Sequence, residues 1–256
     1  GSGKRLLFYG RPLRNFHTES RPYLLRPGGP TMMKEQNGKA PAAAAQPAAF
    51  SQSSHFETDL LPATGWVFDE SHDFWFWQTF LAERAAYRTG QFTFDTPLRL
   101  AGSGTASVSV NVYGMTNSPG VDDIQFRVSV NGAAAGTVQL DGNGPSAGTV
   151  SFNASLLKDG SNTLTLEAIL PPGLSRSWWF LDSFDVSYPR RFEAEGNTAR
   201  VRVDSGQPVV TVGGFTRSDI LVFCISDPRD PVLVNATNVQ KADGRYTVTF
   251  PAVAGA

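Results

Sequence analysis

Trp178-Trp179-Phe180-Leu181-Asp182-Ser183-Phe184-Asp185-Val186-Ser187-Tyr188-Pro189-Arg190-Arg191-Phe192 carries the strongest pattern in the chain. Apolar residues alternate at Phe180, Phe184 and Val186, the two-residue period of a half-buried strand. Asp182 and Asp185 interrupt them. On one regular strand a spacing of three puts these carboxylates on opposite faces, which argues against a paired-carboxylate dyad. Pro189 has no N–H to donate and is expected to stop the ladder. Upstream, Gly160-Ser161-Asn162-Thr163-Leu164-Thr165-Leu166 reads as a turn feeding a neighbouring strand. Two such strands side by side mark the end of a jelly-roll-like β-sandwich.

Working outward, the same period recurs. Val108, Val110 and Val112 alternate with Ser109 and Asn111, and Phe126, Val128 and Val130 repeat the pattern. Asn131-Gly132 then closes a hairpin as a primed turn. Val138 and Leu140 return, Val150 and Phe152 begin another strand, and Phe92 and Phe94 alternate with Thr93 and Asp95. Ser54–Leu61 is a further strand candidate. The aromatic run 73–83 reads as a short helix or a strand capping the core. After Pro189, alternation returns at 199–203, at 209–212 and at 246–250, with an apolar and therefore buried run at Ile220–Ile225. Toward the N-terminus, residues 4–10 and 23–26 are short apolar pieces, and residues 37–50 are rich in Ala and Pro. The expected class is all-β: a jelly-roll-like β-sandwich plus a small C-terminal β unit. The expected division is an N-terminal β segment at 1–36, an Ala/Pro-rich linker at 37–52, the sandwich at 53–190 and the small β unit at 191–256.

The chain has 256 residues, 41% hydrophobic and 18% charged, enough to bury a real core. A net charge of -1 argues against nucleic acid as the partner, because phosphate binding needs clustered Lys and Arg. No apolar run is long enough to span a bilayer, and residues 1–15 lack the apolar core of a signal peptide. One cysteine excludes an internal disulfide framework. Few lysines among many Ser, Thr, Asn and Gly residues fit a secreted or cell-surface module.

Several motifs then fall in a recognisable order. They are Leu6-Leu7-Phe8-Tyr9-Gly10, Thr18-Glu19-Ser20-Arg21-Pro22-Tyr23-Leu24-Leu25, His55-Phe56-Glu57 and the aromatics 74–77. Val130-Asn131-Gly132, Asp159-Gly160-Ser161-Asn162-Thr163, Phe180 to Arg190, Gly214-Phe215 and Ser226-Asp227-Pro228 follow. This order resembles the non-catalytic region that precedes the catalytic domain of bacterial gingipain-type cysteine peptidases. The resemblance implies an accessory or pro-region that packs against that domain in the same chain and masks its cleft. It carries over no catalytic residue, since the family's His-Gly and Cys-bearing segments have no counterpart here. Leu24-Leu25 also lacks the tryptophan the family pattern has.

The remaining candidates point the same way. Cys224 lies in the apolar run Leu221-Val222-Phe223-Cys224-Ile225, where a free thiol is a small buried hydrophobe rather than a nucleophile. His17, His55 and His72 match no zinc template. Asp122-Asp123 and Asp141-Gly142-Asn143-Gly144 are rich in oxygen ligands, which leaves calcium open, yet such residues are also ordinary turn formers. Asn153-Ala154-Ser155 and Asn235-Ala236-Thr237 fit the glycosylation sequon.

No nucleophile–base pair appears, so the fragment is not expected to be an enzyme, and no cofactor is expected. Trp75, Trp77, Trp178 and Trp179 have three readings: core, interface or sugar stacking. With Arg190 and Arg191, and with Arg176 in the loop before Trp178, they are the candidate binding residues. A glycan partner, as in a carbohydrate-binding module, is the alternative to a peptidase domain.

Overall fold

The computed structural model describes residues 33–38, 46–65, 74–102, 104–203, 207–235 and 237–252. The apolar pieces at 4–10 and 23–26, His17 and His72 lie outside the described residues. So does 39–45 of the Ala/Pro run. In chain order the first strands are β1 (Lys34–Asn37), β2 (Ala49–Glu57), β3 (Leu61–Pro62), β4 (Trp75–Phe76), β5 (Gln78–Leu81) and β6 (Thr89–Thr96). Next come β7 (Thr105–Gly114), β8 (Ile124–Val130), β9 (Ala133–Leu140), β10 (Gly144–Asn153), β11 (Gly160–Ile169) and β12 (Trp178–Arg191). The last are β13 (Val209–Phe215), β14 (Val222–Cys224), β15 (Val232–Asn235), β16 (Asn238–Ala242) and β17 (Arg245–Pro251). The chain is all-β, as its alternating pattern requires.

By its contacts the chain divides into two compact units. One is Ala48–Arg191, and the other is made of the segments on either side of it. The first unit is the sandwich. One sheet runs β10-β7-β12-β2, with β5 also on β12, and the other runs β6-β11-β8-β9. The linker expected to reach residue 52 ends earlier. Phe50 is buried, and Ala49 already pairs with Arg191. The described part of the aromatic run, 74–83, forms β4 and β5 rather than a helix, with a 3-10 turn at Ala85–Tyr87 beyond it.

The core lies between the two sheets. Ala106, Val108, Val110 and Val112 of β7 face Ile124, Phe126, Val128 and Val130 of β8 and Leu164 and Leu166 of β11 within one buried cluster. Trp179, at 0% exposure, stacks on Phe80 with ring centroids 4.0 Å apart. Burying a side chain of this size contributes about 1.5–3 kcal/mol or more, so this pair anchors its end of the core. The Asn131-Gly132 turn forms as its sequence requires, with both residues at positive φ, 51° and 83°.

β12 departs from the sequence reading in two ways. Trp179 and Leu181 face the core, and so do Phe184, Val186 and Tyr188. The phase therefore changes between them, at a bulge between Leu181 and Ser183 where β12 pairs β7. Phe180 falls on the outward face, stacked on Phe76 at 4.8 Å, and not on the face of Phe184 and Val186. Nor does Pro189 stop the ladder, which continues to Arg191↔Ala49. The pairing of β12 with β7 ends at Ser187, and the Pro189 carbonyl accepts from the Leu100 N–H at 2.9 Å. In an antiparallel strand a residue's N–H and C=O point to the same side, so the missing donor faces away from β2 and that ladder loses nothing.

The second unit has two small sheets, β1-β15-β14 and β13-β17-β16. β1 pairs β15 in parallel, Lys34↔Val232 to Asn37↔Asn235. Gln46 binds the Thr211 backbone with both ends of its amide, donating to the carbonyl at 2.9 Å and accepting from the N–H at 2.5 Å. The 1–36 segment is thus not a separate β piece in its described part, because β1 is a strand of this unit. The run Ile220–Ile225 is not buried either: Leu221 is 60% exposed, and β14 is a three-residue strand with no buried residue.

Candidate functional site

The outward face of the β10-β7-β12-β2 sheet follows from the register. Ser107, Ser109 and Asn111 of β7 lie beside Ser187, Asp185 and Ser183 of β12. On β2 the partners are Ser53, His55 and Glu57. On β10 they are Ser151, Thr149 and Ala147. These are the residues opposite in phase to the core positions, which is why the face is built almost wholly from short polar side chains.

The bulge concentrates polar groups at one end of this face. Ser183 Oγ donates to Asp182 Oδ2 at 3.2 Å and accepts from Asn111 Nδ2 at 2.9 Å. Asn111 Nδ2 also reaches Asp185 Oδ2 at 3.3 Å. Asp182 and Asp185 therefore meet the same Ser183–Asn111 pair instead of pointing to opposite faces. The extra residue of the bulge shifts the phase by one position.

His55 extends the row. Its Nδ1 lies 2.9 Å from Asp185 Oδ1 and its Nε2 lies 3.2 Å from Glu57 Oε2. Partial burial pulls the imidazole pKa down, but the hydrogen bonds and charges of Asp185 and Glu57 outweigh it together, leaving it above the ordinary 6.5. With both ring nitrogens held by carboxylates, His55 is not placed to take a proton from Ser183, so the row is not a Ser–His–Asp arrangement. Sequence reading took His55 as a scattered histidine and missed the row. The usable signal was the polar half of each alternating strand, Ser109-Val110-Asn111 above all.

The tryptophans divide among the three readings. Trp179 is wholly buried, so as a binding residue it is corrected to core. Trp77 packs against the same core, stacked on Phe184 at 5.5 Å and edge-on to Phe92 at 4.9 Å. Trp178 is half-buried, donates its indole N–H to Thr79 Oγ1 at 3.0 Å and belongs to a small outward cluster with Phe76, Phe180, Tyr113 and Leu61. Trp75 is half-buried beside the 37%-exposed Phe74.

Arg176 lies over the Trp178 ring, 5.1 Å from its centroid, with Glu83 Oε1 3.5 Å from its Nε. Its place on the ring makes it a stacked surface residue rather than a projecting one. Arg190 is 7% exposed, with its guanidinium 5.9 Å from the Phe50 ring centroid, and is corrected from surface to interior. Arg191 reaches Asp159 at 3.4 Å. These seven candidates do not converge on one site.

The two oxygen-rich loops do come together. Asp123, fully buried, accepts from the Ser118 N–H at 3.1 Å and the Gly142 N–H at 3.2 Å. Its carboxylate is thereby used to tie one loop to the other. Among the described residues no group of three or more His, Cys, Asp or Glu is arranged to hold a metal ion. Cys224 is half-buried, not buried, and its Sγ lies 3.4 Å from Ser226 Oγ. The cause is the exposure of its short strand: among the described strands β14 pairs only with β15, and it has no buried position.

No protein-family model matches the chain, and no curated protein matches it. Among solved structures, the chain is similar to dimeric latent PorU from Porphyromonas gingivalis. The identity is 16%, the TM-score 0.57, and the match covers 86% of this chain and 20% of that one. At that identity the likeness shows the fold alone, and this chain spans about a fifth of PorU's length. Weaker likenesses reach the CBM36-1 domain of a multidomain xylanase from the hindgut metagenome of Trinervitermes trinervoides, at 16% identity and TM-score 0.27. That match covers 39% of this chain and 71% of that one. Carbohydrate-binding module CBM36 in complex with calcium and xylotriose matches at 14% identity and TM-score 0.24, over 42% of this chain and 97% of that one. Scores this low carry no argument about ligand or metal.

Proposed function

We propose that this chain is a non-catalytic accessory region of a longer, secreted gingipain-like cysteine peptidase, and that it packs against the catalytic domain and restrains it. The observation that supports this reading most is the match of 86% of the chain to a fifth of a much longer protein, solved in a latent form. The ordered motifs of the sequence resemble the region ahead of such a catalytic domain. Among the described residues Cys224 Sγ lies beside Ser226 Oγ, and His55 is bound on both ring nitrogens by carboxylates.

The test is a titration of the whole chain against a separately made gingipain-type catalytic domain, with peptidase turnover as the readout and a glycan array run beside it. Saturable binding with lowered turnover is expected. Binding without inhibition removes the masking part and keeps the accessory role. Glycan binding lost in Trp178→Ala or Trp75→Ala, with no binding to the peptidase, makes the chain a carbohydrate-binding module instead.

A further inference from the structure

We propose that His55, Asp185 and Glu57 form a pH-sensitive clasp that fastens the end of β2 to β12, closed in mild acid and loosened as the solution turns neutral to alkaline. The inference goes beyond the accessory reading and does not depend on it. Its basis is geometry. Among the described strands β2 is the last in the order of its sheet, paired with β12, and Phe56 packs into the core against Phe94 and Phe184. His55 and Asp185 are direct cross-strand partners, and Glu57 lies two residues on, on the same face. One ring nitrogen faces a carboxylate on the neighbouring strand, and the other faces a carboxylate on its own strand.

A neutral imidazole carries one N–H and one bare lone pair. It can satisfy one of these carboxylates and must present its lone pair to the other. Imidazolium donates to both. The ring's charge therefore decides whether the bridge is complete. Among the described residues the charged groups around it have one sign. Asp185 comes from β12, with Asp182 beyond Ser183, and Glu57 comes from β2 itself. β7 offers the uncharged Ser107, Ser109 and Asn111 on this face, and Asn111 is bonded to Asp185. Each of these carboxylates favours the protonated ring, in keeping with a folded-state pKa above 6.5.

The sign follows. A histidine whose folded pKa is raised contributes stability that is fully present below its unfolded value and is lost as pH rises through the folded value. Once the ring is neutral, Glu57 and Asp185 face each other across the strands with no cation between them. The cluster is about half exposed, with side chains at 52%, 39% and 36%. Contacts of that exposure are each worth roughly a two- to fivefold change in a local equilibrium at most. The clasp thus opens the end of β2 without unfolding the sandwich.

The test is nuclear magnetic resonance on the full chain between pH 5 and 9. It follows the His55 ring protons and the exchange of the β2 amides, corrected for intrinsic exchange. His55 is expected to titrate above 6.5, and both Asp185→Asn and Glu57→Gln are expected to lower its midpoint. Opening at residues 54–57 should rise about two- to fivefold across that midpoint in the wild type, and the rise should vanish in His55→Gln. A purely structural role would shift opening equally at every pH. A midpoint at or below 6.5, a midpoint unmoved by both carboxylate variants, or the same pH response in His55→Gln overturns the proposal.

Discussion

Replacing Asn162 by leucine should cost the sandwich more than its position near the start of β11 suggests. Asn162 is 2% exposed and uses every polar atom of its side chain. Its Oδ1 accepts from the Lys158 N–H at 2.7 Å and from Asn131 Nδ2 at 2.8 Å. Its Nδ2 donates to the Gly160 carbonyl at 2.7 Å, to Thr96 Oγ1 at 2.9 Å and to the Lys158 carbonyl at 3.2 Å. In the leucine variant, the Lys158 N–H and the Gly160 carbonyl lose the side-chain partner they have here. The others keep one bond each: Asn131 Nδ2 to the Leu156 carbonyl, and Thr96 Oγ1 to the Lys158 carbonyl. Each buried group left unpaired costs about 1–3 kcal/mol. Lys158 is exposed and Gly160 half-buried, so water recovers part of that. The net expectation is a loss of about 3 kcal/mol. For a unit of about 150 residues, this lowers the melting temperature by roughly 10 °C.

Asn162→Asp makes the argument sharper. The variant keeps one acceptor, but places an oxygen where the amide nitrogen now meets two carbonyls. The carboxyl is then stable only when protonated, so its folded pKa rises above its unfolded value near ~3.9. The variant should approach wild-type stability below about pH 4 and fall behind as pH rises. Urea unfolding at pH 4 and pH 7 checks both variants. A leucine variant within about 0.5 kcal/mol of wild type, or an aspartate variant with no pH dependence, would refute the reasoning.

Two further outcomes are expected. A Cβ on Gly114 would sit 2.3 Å from the Gly142 carbonyl oxygen, which is backbone, whereas one on Gly136 would meet the Val150 side chain at 2.9 Å. Gly114→Ala should therefore lose about 3 kcal/mol and Gly136→Ala about 1 kcal/mol, and chemical denaturation that ranks them the other way would show that the Gly142 loop yields easily. Cys224, half-buried on its short strand, should be labelled by a thiol reagent in the native protein, and a thiol that reacts only in denaturant would show that β14 is covered.

The legible part of the fold was that governed by a strict two-residue period. Along β7 each valine is buried, and each serine or asparagine between them is not. The Asn131-Gly132 turn was legible because few residue pairs accept two consecutive positive φ angles. The bulge at Asp182 was not, since one inserted residue leaves the composition of a strand unchanged and alters only its phase. Everything that depended on that phase moved with it: Phe180, the relation of Asp182 to Asp185, and the polar row that ends at His55. Pro189 was misread for a related reason. Proline is excluded from a ladder only on the side its nitrogen faces, and that side is set by parity along β12. The exposure of Cys224 was hidden because apolarity at Ile220–Ile225 says nothing of how many neighbours a three-residue strand will find.

The order of segments in the chain is also not their order in space. The sandwich begins and ends at one place, because Ala49 at the start of β2 is paired with Arg191 at the end of β12. A unit whose two ends are hydrogen-bonded neighbours can be carried inside another unit at little topological cost, since the flanking chain resumes where it left off. The outer segments are indeed one unit. β1 and β15 pair in register across about two hundred residues of chain, Lys34 meets Asp230, and Gln46 grips the backbone of Thr211. Closing such long-range pairings would be costly in a flexible chain. With the sandwich folded, Ala49 and Arg191 are held together, and the chain left to close between β1 and β15 falls from about two hundred residues to about a dozen on one side and about forty on the other. The outer unit therefore gains stability from the folding of the inserted one through chain connectivity alone, and a variant such as Asn162→Leu that weakens the sandwich should weaken the outer unit with it.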